Sequence, residues 1–262
     1  MAHQKIRSVV RALKIMELLR EKSLRNEYVS PGEAAKAAGI SRISAYHILN
    51  TLADCGYVRH TARGRYEEGV RGSLLVLGSG IMPRLCDAAR PLMEDAAAIG
   101  RDGFVLATLH NARRVELLRI GKIKNTRQAP FEANEMFYSM RTTRVMLAWY
   151  KPHQLDFFIR CNGLPQVQDW PETNGTKSGL KTELARIREN GGCCDIHHEI
   201  KLTASAVPVF FGGEVIASLG CYSPVNQTNQ ERQLGIFRLL QDCTDKISKT
   251  LTETAKNDEN RA

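Results

Sequence analysis

The run Ser41-Arg42-Ile43-Ser44-Ala45-Tyr46-His47-Ile48-Leu49-Asn50-Thr51-Leu52 constrains the fold more than any other part of the chain. Ala45, Ile48, Leu49 and Leu52 recur at helical spacing and make one face apolar. Ser41 stands where an N-cap belongs, with a hydroxyl able to accept from the first-turn amides. The opposite stripe holds Arg42, Ile43, Tyr46, His47 and Asn50. Such side chains supply the donors, acceptors and methyl contacts by which a major groove is read. Just upstream, Ser30-Pro31-Gly32-Glu33 has the form of a capping box with Pro at the first helical position. The run Ala34 to Ala38 is short and small-sided, and Gly39 supplies the left-handed residue that ends one helix before the next. Residues 39–58 are therefore predicted to contain the recognition helix of a helix-turn-helix.

Upstream, Val9, Ala12, Leu13, Met16 and Leu19 mark the expected core stripe of a first helix. Val10, Ile15 and Leu18 lie off it, so the apolar surface is wide enough for a second contact such as dimerisation. A deeply buried helix would look the same. Downstream, Gly56-Tyr57-Val58 leads into a short strand, and Thr61 to Tyr66 reads as a hairpin tip with Gly64 at its turn. Arg59, His60, Arg63 and Arg65 cluster on this wing, where they could reach phosphates or a minor groove. Three helices and a basic hairpin make a winged helix. The expected DNA contacts are Ser41, Arg42, Ile43, Ser44, Tyr46, His47 and Asn50 on the helix, with Arg63 and Arg65 gripping the backbone.

Charge supports a nucleic-acid partner. Of 37 basic and 28 acidic residues, the first 80 positions hold 13 and 7, so +6 of the net +9 lies there. Phosphate neutralisation needs that density. The start Met-Ala-His-Gln-Lys-Ile-Arg has no apolar h-region, and no long apolar segment follows, so a cytoplasmic protein without a membrane partner is expected. The seven cysteines are odd in number and form no C-x-x-C pair, which argues against a disulfide framework or zinc ribbon. Cys193-Cys194 reads as small strand residues sooner than as an oxidant sensor. In His197-His198-Glu199 the two histidines would point to opposite faces of a strand, so no metal site is expected. No nucleophile elbow, Walker loop or G-x-G-x-x-G follows a strand, and Ser139, His110 and Asp195 have no catalytic spacing. Neither an enzyme nor a cofactor is expected.

The rest of the chain reads as a second domain. Val70 to Gly80 suggests a linker helix breaking near Gly78–Pro83, followed by a helix from Arg84 to Ile99 with Leu85, Ala88, Ala89, Leu92, Met93 and Ala96 on one face. Pro91 within it either kinks it or marks a start. Strands are predicted at 104–109, 115–120, 204–211 and 214–221, the first two joined by His110 to Arg114 and the last two by Gly212-Gly213. Helices are predicted at 141–149, 152–159, 178–190 and 230–252, with a polar end beyond Thr254.

Several spaced blocks resemble the IclR-type bacterial transcriptional regulators. They are Ser8 to Met16, Ala35-x-x-x-Gly39-Ile40-Ser41-Arg42-Ile43-Ser44-Ala45-Tyr46, Leu49-x-Thr51-Leu52-x-x-x-Gly56-Tyr57-Val58 and Arg65-Tyr66-x-x-Gly69. The resemblance implies an α+β chain. A winged helix-turn-helix (1–68) would be joined by a linker helix (69–82) to a GAF-like α/β effector-binding and oligomerisation domain (83–255), with a polar tail (256–262). It also implies a homodimer or homotetramer on double-stranded, pseudo-palindromic operator DNA, a small-molecule effector, and repression as the commoner action.

The effector segment departs from the family's pattern. Where relatives carry Ser-Gly-x-Gly-Lys-x-x-Leu-Ala, this chain has Met140-Arg141-Thr142-Thr143-Arg144-Val145-Met146-Leu147-Ala148. Asp195, Pro208 and Pro224 match the family's landmarks, while its pocket Cys and two Ser become Ala204, Gly220 and Tyr222. Two interpretations stand. Arg141 and Thr142 at a helix N-terminus, with Asp195, Ala204, Gly220 and Tyr222, form an altered site for a carboxylate. Alternatively, Arg141 and Tyr222 fill the cavity and the domain serves only oligomerisation.

Overall fold

The short segment Ser30–Gly39 sets the layout of the N-terminal half. Ser30 Oγ accepts from the Glu33 amide at 3.3 Å, and the Ser30 amide donates back to Glu33 Oε2 at 2.9 Å. This reciprocal cap starts a helix at Pro31, and Gly39, at φ +63°, stops it eight residues later. Lys22 bonds Glu33 at 2.9 Å and Glu27 at 2.7 Å, fastening the preceding helix to the cap.

The computed structural model describes residues 5–24, 27–61, 64–69, 71–72, 80–100, 102–121, 134–197, 202–225 and 229–259. Most of the segment read as a linker helix, together with Arg63, His198 and Glu199, lies outside them. The chain divides into two units, Met1–Ser79 and Gly80–Ala262.

The first unit contains α1 (Arg7–Leu24), α2 (Pro31–Ala38), α3 (Arg42–Asp54) and an antiparallel hairpin of β1 (Val58–Thr61) and β2 (Arg65–Glu68). Val29 bridges Tyr66, adding a third short edge. Its core joins Ile15, Leu19, Val29, Ala34, Ala38, Ala45, Leu49, Val58 and Tyr66. The core stripe expected on α1 is corrected. Ile15 and Leu19 are buried, while Val9 and Leu13 are 52% and 58% exposed. Helix α2 is two turns long and lined with alanine, so the shared core reaches only the C-terminal half of α1. Ile6, Val9, Val10 and Leu13 are left as an exposed apolar stripe.

The second unit is built on a five-stranded antiparallel sheet in the order β4-β3-β7-β6-β5. Its elements are α4 (Ile81–Ile99), β3 (Gly103–His110), β4 (Arg113–Gly121), a 3-10 turn (Asn134–Ser139), α5 (Arg141–Ala148), α6 (Pro152–Asn162), α7 (Lys177–Glu189), β5 (Cys193–His197), β6 (Leu202–Phe211), β7 (Glu214–Pro224) and α8 (Gln230–Glu259). One sheet face, with Phe104, Leu106, Val207 and Leu219, packs on Leu85, Ala89 and Met93 of α4 and on Leu240, Ile247 and Leu251 of α8. The other lies under α5 to α7, whose core centres on Val145, Phe158, Trp170, Leu180 and Leu184.

Three local details differ from expectation. Helix α4 starts at Ile81 and not Arg84, because Pro83 falls in the first turn, where its missing N–H costs nothing. It also runs unbroken through Pro91. The β3–β4 connection is a two-residue turn, Asn111 and Ala112, both left-handed at φ +49° and +56° as a type I′ turn requires.

The cap yields a pH test. The Ser30 amide first, then Lys22 and the Ser30 hydroxyl, hold the Glu33 carboxyl down at about 2, against an ordinary 4.5. A depressed carboxylate stabilises the fold above the ordinary value and loses that contribution as pH falls through the depressed one. The melting temperature of the full chain should therefore exceed that of Glu33→Gln at neutral pH, with the gap closing as pH drops from 4.5 toward 2. Ser30→Ala should cost about 1 kcal/mol at neutral pH, measured by denaturant unfolding.

Candidate nucleic-acid interface and effector site

Helix α3 opens on Ser41, whose Oγ accepts from the Ser44 amide at 3.1 Å and lies 2.9 Å from Ser44 Oγ. Both hydroxyls thus form the cap and sit at the exposed helix mouth. Arg42, Ile43, Tyr46 and His47 are all exposed, Ile43 at 71% and Tyr46 at 47%. Tyr46 and His47 stand edge to face, with ring centroids 6.0 Å apart. Asn50 is half-buried at the border of this stripe, and its Oδ1 accepts from the Tyr66 hydroxyl at 2.8 Å. The expected reader Asn50 is therefore also tied to the hairpin.

On that hairpin Arg59 pairs with Glu67 across the strands. Burial pushes the Glu67 carboxyl up, against the pull of Arg59. Arg65 is exposed, with its guanidinium 5.9 Å from the Tyr28 ring. Arg59, spent on Glu67, carries less free charge than Arg65. Arg63 lies outside the described residues.

In the second unit, register brings the sheet's candidate residues into two adjacent rows. Asp195, Ala204, Tyr222 and Gly103 pair in sequence across β5, β6, β7 and β3. Cys193, Ala206, Gly220, Val105 and Arg119 pair in the next row, extended to β4. Helix α5 covers these rows. A Cβ on Gly220 would stand 2.9 Å from Thr142 Cγ2, so the glycine lets α5 approach β7. The Tyr222 ring lies over Gly103, where a Cβ would fall within 2.5 Å of ring atoms. Arg141, Thr142, Asp195, Ala204, Gly220 and Tyr222 are thus placed on or against one sheet face.

Electrostatics divide this face into two groups. Asp195 pairs with both Arg141 and Arg144, the latter at 2.9 Å. Arg141 also donates to the Ser139 carbonyl. Arg144 donates to the Asp169 carbonyl at 2.7 Å and to that of Tyr138, with its guanidinium 4.3 Å above the Trp170 ring. Burial, then Arg141, pull Arg144 down to about 10, opposed by Asp195. The second group was not foreseen. Arg114 and Arg119 flank Glu116 at 3.6 and 2.5 Å. Arg114 donates to Thr142 Oγ1 at 3.0 Å, and Arg119 donates to the Tyr222 hydroxyl at 3.1 Å. Burial lowers Arg114, whereas Glu116 raises Arg119.

Strict alternation would put Glu116 and Arg119, three apart, on opposite faces. A bulge at Leu117 inserts one residue between the pairs Leu106–Leu118 and Ala107–Glu116, which turns both to the α5 side. Four charged residues, Arg113, Arg114, Glu116 and Arg119, in an otherwise apolar strand were the available signal. Burial pushes the Cys193 thiol up to about 12. Among the described residues no cluster of His, Cys, Asp and Glu could hold a metal ion, and no helix is long and apolar enough to cross a membrane.

A capped helix with a polar outer stripe, braced by a basic hairpin, defines the first unit as a winged helix-turn-helix of the DNA-binding kind. The IclR helix-turn-helix domain matches residues 8–62, and the bacterial transcriptional regulator IclR C-terminal domain matches residues 84–249. The chain belongs to the IclR family of bacterial transcriptional regulators, which are DNA-binding proteins.

Solved structures agree in fold. An IclR homolog from Microbacterium hydrocarbonoxydans, complexed with 4-hydroxybenzoate, is 20% identical with a TM-score of 0.60, covering 94% of this chain and 99% of its own. The Thermotoga maritima IclR is 19% identical with a TM-score of 0.55, over 93% and 98%. The C-terminal domain of E. coli KdgR is 23% identical with a TM-score of 0.52, over 64% and 98%. No curated protein matches the chain.

Arg144 is the anchor of the α5 side. Arg144→Ala should destabilise the full chain by about 3 kcal/mol, because it strips one cation from Asp195 and orphans two buried carbonyls. Arg144→Lys should recover little of that, since an ammonium lacks the fork that serves several acceptors at once. Thermal or denaturant unfolding of both variants measures the difference.

Proposed function

We propose that this protein is a ligand-responsive transcriptional repressor. Residues 1–68 read a pseudo-palindromic operator, 69–82 join the units, and 83–255 bind a small organic acid. The single observation that carries the DNA half is the exposed stripe of Arg42, Ile43, Tyr46 and His47 on a capped, braced helix. Arg65, and Arg63 beyond the described residues, grip phosphates beside it.

A homodimer, or a tetramer made from two, places two such helices in successive major grooves about 34 Å apart. The uncovered stripe Ile6, Val9, Val10 and Leu13 of α1 supports self-association, since apolar side chains at helical spacing gain from burial against a second copy. Effector binding shifts the balance between dimer geometries and so changes operator affinity.

The acid is bound on the α5 side of the sheet. Arg141 and Arg144 spend donors beyond Asp195 on the carbonyls of Ser139, Tyr138 and Asp169, so the anion is received on the β4 side, by Arg114 and Arg119 with the Tyr222 hydroxyl. Two guanidiniums share the one carboxylate of Glu116 there, which leaves positive charge for a carboxylate. The Microbacterium relative is a complex with 4-hydroxybenzoate, itself a monocarboxylate. A second reading draws on Tyr222, whose ring lies over Gly103 and is held by Arg119. It makes this face closed packing and the domain an oligomerisation module.

Two measurements test the proposal. Duplexes selected from a random library by the full chain should be retarded by the wild type, and not by Arg42→Ala combined with His47→Ala. Both are surface changes, worth within about 0.5 kcal/mol of stability, so the melting temperature should hold. Retained specific binding would sink the choice of helix. In a thermal-shift panel of aromatic, keto and sugar acids, one class should stabilise the wild type by about 2.7 kcal/mol at a hundredfold excess over Kd. Arg119→Ala should lose that shift. No response from any acid is the outcome that favours the oligomerisation reading.

A further inference from the structure

We infer that Tyr66 sets the base preference of Asn50, by locking its amide so that it meets DNA as a donor only. The inference rests on the reading of α3 as the helix that enters the major groove. Asn50 continues the stripe of Ile43, Tyr46 and His47 by one helical turn, but it alone is half-buried. Tyr66 is fully buried on β2, with its amide and carbonyl both bonded to Val29 at 2.8 Å. Its backbone is therefore fixed, and its ring is held edge to face 4.9 Å from His60.

A buried hydroxyl needs an acceptor for its proton, and the Tyr66 hydroxyl lies 2.8 Å from Asn50 Oδ1. The amide nitrogen could not serve, since it has hydrogens and no lone pair to offer. Burial, with the Tyr46 phenol beside it, keeps the Tyr66 hydroxyl above its usual range, hence protonated and donating. The orientation of the Asn50 amide is therefore decided by the protein before DNA arrives. Its oxygen is turned toward the buried hydroxyl, and its two N–H groups are directed away from it.

An unrestrained Asn prefers adenine, accepting from N6 while donating to N7. That bidentate pairing needs the oxygen at the DNA-facing edge of the amide, whereas the Tyr66 hydroxyl holds it turned inward. What Asn50 has left is a pair of donors, which match the two acceptors of guanine, O6 and N7. The locked Asn50 favours guanine over adenine at one position of each half-site. Tyr66 touches no base and acts as a positioning residue through Asn50.

The test is base selection from a random duplex library by the full chain, comparing the wild type with Tyr66→Phe and Asn50→Asp, each first checked for an unchanged melting profile. The wild type should select guanine at one position per half-site. Tyr66→Phe frees the oxygen and should shift that position alone toward adenine, by about tenfold in the guanine-to-adenine ratio. Asn50→Asp keeps the acceptor for Tyr66 but offers no donor, and should move the same position toward cytosine, whose N4 donates. Should Tyr66→Phe prove unstable, the wild type's own choice decides, because an Asn50 that Tyr66 does not orient would select adenine where the inference requires guanine. Uniform loss of affinity across all positions, or no change at any, overturns the inference, because a phosphate contact or a purely structural bond behaves that way. Failure of the wild type to select any sequence overturns the reading of α3 itself, and this inference with it.

Discussion

Asp195 is one carboxylate claimed by two guanidiniums, and the C-terminal unit is organised around that shortage. Arg141 and Arg144 leave the same helix a turn apart and converge on it, pinning α5 across the sheet. Because α5 is pinned, Thr142 sits on Gly220 and is in reach of Arg114. Because Arg114 turns to Thr142, Glu116 is shared with Arg119, which in turn holds Tyr222. The chain of contacts runs from β5 to the opposite sheet edge through alternating ion pairs and hydrogen bonds. Interactions of this sort specify geometry more than they add stability, since desolvation offsets much of the Coulomb gain.

How much of this was legible in the sequence depended on range. The capping box at Ser30, the glycine stop at Gly39 and the cap at Ser41 are local, and each forms as read. The strand pair around Gly212-Gly213 likewise needs only the two flanking runs. The stripe on α1 failed for a non-local reason. A helix with apolar residues on two faces gives no sign of which one its neighbours will cover, and the brevity of α2 decided that. Period-two alternation also hid the second charged group, because one surplus residue in β4 breaks the count. The candidate residues 141, 142, 195, 204, 220 and 222 do fall on one face, yet what Arg141 does there could not be read from its position.

The two units use opposite strategies for their polar groups. On α3 they are left in water, and the exceptions, Ser41, Ser44, Asn50 and Thr51, are occupied by short bonds to their own unit. Exposed side chains keep their rotamer freedom, whereas Asn50 has spent that entropy at folding. Under α5 the charges are gathered into two networks of internal partners, one on Asp195 and one on Glu116.

The bulge in β4 has a consequence for how this strand tolerates insertions and deletions. Leu117 is the extra residue of the bulge, with its side chain packed against the core that α4 and α8 cover: excising it would restore regular pairing and leave Glu116 and Arg119 facing the same side. Removing Leu118 gives the same chain as removing Leu117, whereas a deletion at Val115 or Glu116 is a different change. Losing Glu116 removes the shared carboxylate, and an inserted residue without a second bulge would swing Arg119 into the apolar layer beneath α4 and α8. The strand thus carries one codon of slack at its Leu117-Leu118 pair.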